Sequence, residues 1–243
     1  MHLLLCGQPL GPDPLEGQGP ATIEAVLFDK DGTLSHSEPM LQTLAEARVF
    51  HCLEAIEPEL ARQRGDELER LLRSAYGLTP EGIHPAGTTA VASRDHNLIS
   101  TATALAIIGL GWPEALEVSE AVFARTDGLH GEGSAQPPGP TEGLAALLDR
   151  LRAAGLRCAV ISNDHQQGIE AFLRAHGFEA HFQALWSAEH RPAKPSPDAV
   201  RGLCAELGVH PHRCALIGDA NSDLRMARAA RRRSSSAARP SVG

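Results

Sequence analysis

Four short apolar runs punctuate this chain, each broken off by polar residues: Ile23 to Phe28, Cys158 to Ile161, Phe182 to Trp186 and Cys214 to Ile217. They are almost continuously apolar rather than alternating, as expected of strands covered on both faces. A helical pattern precedes each of the last three. Leu144, Leu147, Leu148 and Leu151 share one helical face, Gly155 ends that helix, and Gly168 to His176 and Asp198 to Leu207 continue in the same way. Strands alternating with helices predict an α/β fold with a parallel, doubly wound sheet. Ligands of such sheets lie beyond the carboxyl ends of the strands. The residues directly after each run are therefore where chemistry is to be sought.

Between the first and second runs the period changes. Leu41, Leu44, Ala45 and Val49 form one helical stripe, and Leu68, Leu71, Leu72 and Ala75 a second. Val91 to Leu110 holds a third and Pro113 to Ala124 a fourth, with Pro113 suited to a first helical turn. No strand pattern lies among them. The reading is an all-helical insert over 38–127, carried by a core of 23–37 and 128–230. Gly128 to Gly139, rich in Gly and Pro, reads as a linker. Residues 1–22 read as a loose leader, and 231–243 as a disordered basic tail without apolar period.

Composition narrows the classes. The chain has 243 residues, 42% of them hydrophobic, enough for a proper core, and its net charge of −8 argues against a general nucleic-acid binder. Positive charge gathers at the end, in Arg231, Arg232, Arg233 and Arg239; a basic tail for RNA or anionic surfaces is the functional alternative to plain disorder there. The five cysteines are odd in number, widely spaced and without a Cys-x-x-Cys pair, which fits a reducing cytosol rather than a disulfide framework. The start lacks a basic region and a long apolar run, so export is not expected. No stretch approaches the ~20 apolar residues of a membrane span.

The strand ends carry a coherent set. Asp29 and Asp31 follow the first run, two residues apart, so in extended chain both point the same way; Gly32 lets the backbone turn closely after them. Ser162 and Asn163 follow the second run. Lys194 stands before Pro195 and Pro197, and Gly218-Asp219 follows the fourth run with Asp223 one helical turn on. Each has a plain structural alternative: an Asp-Gly surface turn, a helix cap at Ser162, a solvated lysine, an acidic helix start. Together they suit metal-dependent phosphoryl transfer. A carboxylate nucleophile divides the transfer into two steps, and a second carboxyl group moves the protons. Mg²⁺ and a lysine offset the repulsion between carboxylate and phosphate. Asp29, Asp219 and a backbone carbonyl supply the oxygen ligands that Mg²⁺ prefers.

With these motifs the chain resembles the haloacid dehalogenase superfamily of aspartyl-phosphate hydrolases. Val26 to Leu34 is similar to its first motif, Val160-Ile161-Ser162-Asn163 to the second, Lys194-Pro195 to the third, and Ile217 to Asp223 to the fourth. The helical insert falls where the family places its C1 cap, as in phosphoglycolate phosphatase-like members. The resemblance implies that Asp29 is nucleophile and metal ligand, and that Asp31 is acid/base with its backbone carbonyl on Mg²⁺. It implies that Thr33, Ser162 and Asn163 steady the phosphoryl group and that Lys194 bridges nucleophile and phosphate. Asp219 binds the metal and Asp223 supports it. Asp31 speaks against dehalogenation, since dehalogenating relatives lack it. The implied activity is hydrolysis of a small phosphomonoester, phosphoglycolate- or sugar-phosphate-like, in the cytoplasm; the alternatives are a sugar phosphomutase and a truncated, non-catalytic relative that binds a phosphorylated ligand or a partner.

Two further expectations come from the insert and the end of the chain. Arg94, His96 and Asn97 form the most polar part of the cap stretch and are candidates for leaving-group contacts. Where family members continue with another strand, this chain shows no strand signal, so the last core strand is expected to be missing and the fourth to lie at an exposed edge. His210-x-His212 sits before the fourth strand, away from the proposed site, and reads as a turn rather than a metal pair.

Overall fold

Every residue of the first strand is buried, because the strand runs through the middle of a parallel sheet with helices on both sides. In this computed structural model the described residues are 4–5, 8–9, 23–130 and 137–231. The chain runs β1 (Ala25–Phe28), α1 (Glu38–Ala55), α2 (Pro58–Tyr76), α3 (Arg94–Ile107) and α4 (Trp112–His130). It continues with α5 (Leu144–Ala153), β2 (Arg157–Ile161), α6 (Gln166–Ala175), β3 (Ala184–Trp186), α7 (Pro197–Glu206), β4 (Cys214–Ile217) and α8 (Asn221–Arg231). Spatially the strands lie in the order β3-β2-β1-β4, all parallel.

Alternation divides the strand side chains between two cores. Val26 and Phe28 join Cys158 and Val160 against Leu148 and Leu151 of α5 and Phe172 of α6. Ala25 and Leu27 join Ala159 and Ile161 against Leu203 of α7 and Met226 of α8. Leu148 is wholly enclosed; truncating such a leucine to alanine costs about 2–5 kcal/mol. Ser196 starts α7 by accepting a hydrogen bond from the Asp198 amide, with Pro197 in the first turn.

The insert has its own apolar centre, built from Val49 and Cys52 of α1, Leu68, Leu72 and Tyr76 of α2, Leu105 of α3 and Phe123 of α4. Its first and last helices, α1 and α4, pack on each other. Gly77 stops α2 in the left-handed region, at φ +78°, and donates to the Arg73 and Ser74 carbonyls.

The structure corrects several sequence expectations. The insert is not purely helical: Leu78–Thr79 and Gly82–Ile83 pair antiparallel, a ladder too short to leave a period-2 pattern. The third stripe is interrupted after the single turn Thr88–Val91, because Ser93 caps a new helix by accepting from the His96 amide. Gly128 is not yet linker, since α4 runs on to His130. The first strand begins at Ala25 and the third at Ala184, the latter delayed by a tight turn at Glu179–His181. Arg231 belongs to α8, and the rest of the expected tail lies outside the described residues. So does most of the leader, of which Leu4–Leu5 and Gln8–Pro9 pair antiparallel. Among the described residues β4 is one edge of the sheet and β3 the other, and no helix is long and apolar enough to cross a membrane.

Candidate active site

β1 delivers Asp29 to the carboxyl end of the sheet, where its amide donates to the Ile217 carbonyl at the end of β4. The chain then curls tightly, and the Lys30 carbonyl accepts from the amides of Leu34 and Ser35. Gly32 makes this possible at φ +72°; a β-carbon there would also run into the Asp219 carboxylate. Asp31 is held through one oxygen: its Oδ1 lies 2.8 Å from Lys30 Nζ and 3.3 Å from Ser35 Oγ. Lys30 is buried and also pairs with Asp164 Oδ2 at 3.0 Å. Burial alone would lower its pKa, but the two carboxylates more than reverse this and keep it charged.

Lys194 brings three elements together. Its ammonium is 3.0 Å from Asp29 Oδ1, 2.8 Å from Asp223 Oδ1, and donates to the Ile161 carbonyl at 3.3 Å. Burial works against its charge, and Asp29 and Asp223 outweigh burial, so its pKa is raised. Asp29 is pushed up from 3.8 to about 7, first by burial, with Asp223 and Asp31 adding to it and Lys194 opposing. Asp219 is also raised, by partial desolvation and then by Asp223, while its own backbone amide pulls the other way.

These carboxylates fit a divalent cation. One oxygen from each of Asp29, Asp219 and Asp223 lies within 4.8 Å of the others. Asp223 is fully buried, and its Oδ2 has no partner among the described residues. An unmatched buried carboxylate oxygen beside two further carboxylates is costly without a cation. The donors are all hard oxygens, the set that Mg²⁺ favours. Gly218 makes room for the cluster, since a β-carbon there would strike the Asp223 carboxylate.

A cleft of about 470 Å³ opens over Asp29, Asp31 and Lys194, closed on the far side by the insert. Ser162 lines it, and its Oγ accepts from the Asp164 amide in a local turn; it does not cap the following helix, whose N-cap position is His165. Asn163 lines it while donating to the Val91 carbonyl of the insert. Thr33 is half-buried and not among the lining residues; its carbonyl accepts from Thr141 Oγ1. Arg94 and Asn97 reach the cleft, and Asn97 uses its amide to hold the Thr88 and Ser93 carbonyls. His96 faces a smaller neighbouring hollow with Ser93 and Asp95. His210 and His212 stack on each other ahead of β4, and the His210 ring accepts from the His212 amide.

The sequence model of the haloacid dehalogenase-like hydrolases matches residues 23–231. The chain belongs to this family. It is 28% identical over 214 residues to a phosphoglycolate phosphatase of Nitrosospira multiformis, covering 87% of this chain and 81% of that one. It is 25% identical over 209 residues to the N-acetylmuramic acid 6-phosphate phosphatase of Pseudomonas aeruginosa, covering 85% and 77%. Its fold is that of a solved structure described as a predicted phosphoglycolate phosphatase from Haemophilus somnus, with a TM-score of 0.60 at 20% identity and coverage of 86% and 82%.

Some groups around the cleft of this hydrolase escaped the sequence reading. Lys30, buried, pairs with Asp164, which lines the cleft. Arg48 and Asp127 line the insert's wall. Arg48 had a visible signal: it takes the next core-facing position after Leu41, Leu44 and Ala45, where a charge is out of place on an apolar stripe.

Proposed function

We propose that this hydrolase is a Mg²⁺-dependent phosphatase acting on a small phosphomonoester through an aspartyl-phosphate intermediate. The supporting observation is the convergence of Asp29, Asp31, Lys194, Asp219 and Asp223 beyond the strand ends, beneath a cleft of about 470 Å³. The named phosphatase relatives support the same class.

In this reading a carboxylate oxygen of Asp29 attacks phosphorus, and the bond to the leaving alcohol breaks. Asp31 gives that alcohol its proton. Its Oδ1 is held by Lys30 and Ser35, while its Oδ2 has no partner among the described residues and is free to exchange the proton. Asp31, now ionised, takes a proton from water as the water attacks the acyl phosphate, and Asp29 is regenerated. Lys194 stays charged and offsets negative charge on Asp29 and the phosphoryl group. Mg²⁺ held by Asp29 and Asp219, with Asp223 behind them, would supply further positive charge to the same oxygens. The insert covers the reaction and limits water.

The test is hydrolysis of a phosphomonoester panel by the purified chain, with Mg²⁺ and with chelator. Phosphate release that needs Mg²⁺ and disappears in Asp29→Asn is the expected result. A folded protein that releases none from any ester refutes the proposal.

A further inference from the structure

The insert's wall of the cleft holds a charge imbalance that the proposed chemistry does not use. Arg48 of α1 and Arg94 of α3 both turn to one carboxylate on α4: Arg48 Nη2 donates to Asp127 Oδ1 at 3.0 Å, and Arg94 Nε to Asp127 Oδ2 at 2.6 Å. Both guanidinium groups lie over the Phe123 ring, 3.8 Å and 5.4 Å from its centre. Two cations thus share one anion.

Neither cation is saturated. Arg48 is only 6% exposed, and its buried Nε has no hydrogen-bond partner. Burial pulls its pKa down in spite of Asp127. The Arg94 Nη1 and Nη2 groups have no partner among the described residues. Arginine is rarely buried this far without matching negative charge. The facing wall does not provide it. Asp164 is engaged by Lys30, and Glu189 accepts from the Gln166 amide and Ser187 Oγ. Asp29 and Asp31 are engaged by Lys194 and Lys30.

We propose that Arg48 and Arg94, oriented by Asp127 and Phe123, form a second anion subsite that selects esters whose leaving group carries its own carboxylate or phosphate. The inference rests on the phosphatase reading and adds the substrate class to it. Guanidinium groups present paired N–H donors that match the oxygens of either anion. Contact with the aromatic ring holds both planes in place before substrate arrives. Asp127 keeps the two cations together, and the remaining unit of positive charge is left for the ligand.

The experiment compares kcat/KM for four esters. p-Nitrophenyl phosphate and glycerol 2-phosphate have no second anion; phosphoglycolate carries a carboxylate and fructose 1,6-bisphosphate a second phosphate. The wild-type chain is expected to favour one anionic ester over both neutral ones by about tenfold or more, and the favoured arm identifies the anion. In Arg94→Gln that ratio should fall roughly 10- to 100-fold, mostly through KM, and Arg94→Lys should recover part of it. Arg94 opens a helix and is partly exposed, so its replacement tests the subsite even if variants at buried Arg48 do not fold. Equal turnover of neutral and anionic esters, or an unchanged ratio in Arg94→Gln, overturns the subsite and leaves the phosphatase reading standing. Failure to turn over any of the four, p-nitrophenyl phosphate included, removes the phosphatase reading and the subsite with it.

Discussion

Asn163 donates its side-chain amide to the Val91 carbonyl at 2.9 Å, tying the end of β2 to the insert. A single hydrogen bond of this kind contributes about 0.5–1.5 kcal/mol. Asn163→Ala should therefore raise KM roughly three- to tenfold and speed amide exchange around Thr88 to Ser93. Inhibition by inorganic phosphate should stay as it was. A weakened phosphate inhibition would instead assign Asn163 to the phosphoryl group.

Burial above all pushes the Asp29 carboxyl up from its ordinary 3.8 to about 7. In the unfolded chain it ionises near its ordinary value. As pH rises from about 4 to 7 the unfolded state loses this proton first, so the group removes stability over that window. Without Mg²⁺, Asp29→Asn should then be the more stable protein at pH 7–8, by roughly 1–3 kcal/mol, with the gap closing towards pH 4. Thermal melts in chelator across that range check the sign. A variant less stable than wild type at pH 8 would contradict it.

Mg²⁺ should raise the melting temperature of the wild-type chain, since a cation that binds only the folded state adds about 2.7 kcal/mol at a hundredfold excess over its Kd. Asp223 stands behind the proposed cation with a buried, unmatched oxygen. Asp223→Asn should weaken Mg²⁺ binding roughly 10- to 100-fold, as read by titration of the thermal shift. An undiminished shift in that variant would place the cation elsewhere.

Gly218→Ala introduces a β-carbon against the Asp223 carboxylate. Crowding at so tight a position costs about 1–3 kcal/mol. The displaced carboxylate also loses its 2.8 Å approach to Lys194. Turnover and Mg²⁺ affinity should both fall, and the melting temperature with chelator present should drop by only a few degrees. Full turnover with a normal melt would show that the carboxylate can move without consequence.

The core was legible because its signals are local. Three of the four apolar runs end directly in candidate site residues, so the run and its polar terminus can be read together, as at Phe28-Asp29 and Ile217-Gly218-Asp219. Lys194 was legible through its flanking prolines. The insert's wall was not, because Arg48 and Asp127 stand 79 positions apart and meet only once α1 and α4 pack. The partner of Asn163 was hidden for the same reason: Val91 contributes a backbone carbonyl, which every residue has. The strand pair at Leu78–Thr79 and Gly82–Ile83 is shorter than any period that pattern reading can detect.

The packing of α1 against α4 has a consequence for heredity as well as for shape. The chain leaves the sheet by one helix and begins its return by a neighbouring one, and the helices between them close an apolar centre of their own. Such a segment is a cassette. Its interior can drift, or be exchanged for another of the same span, without re-registering a single strand of the sheet. A lineage could in this way change what enters the cleft while Asp29 and Lys194 keep their places.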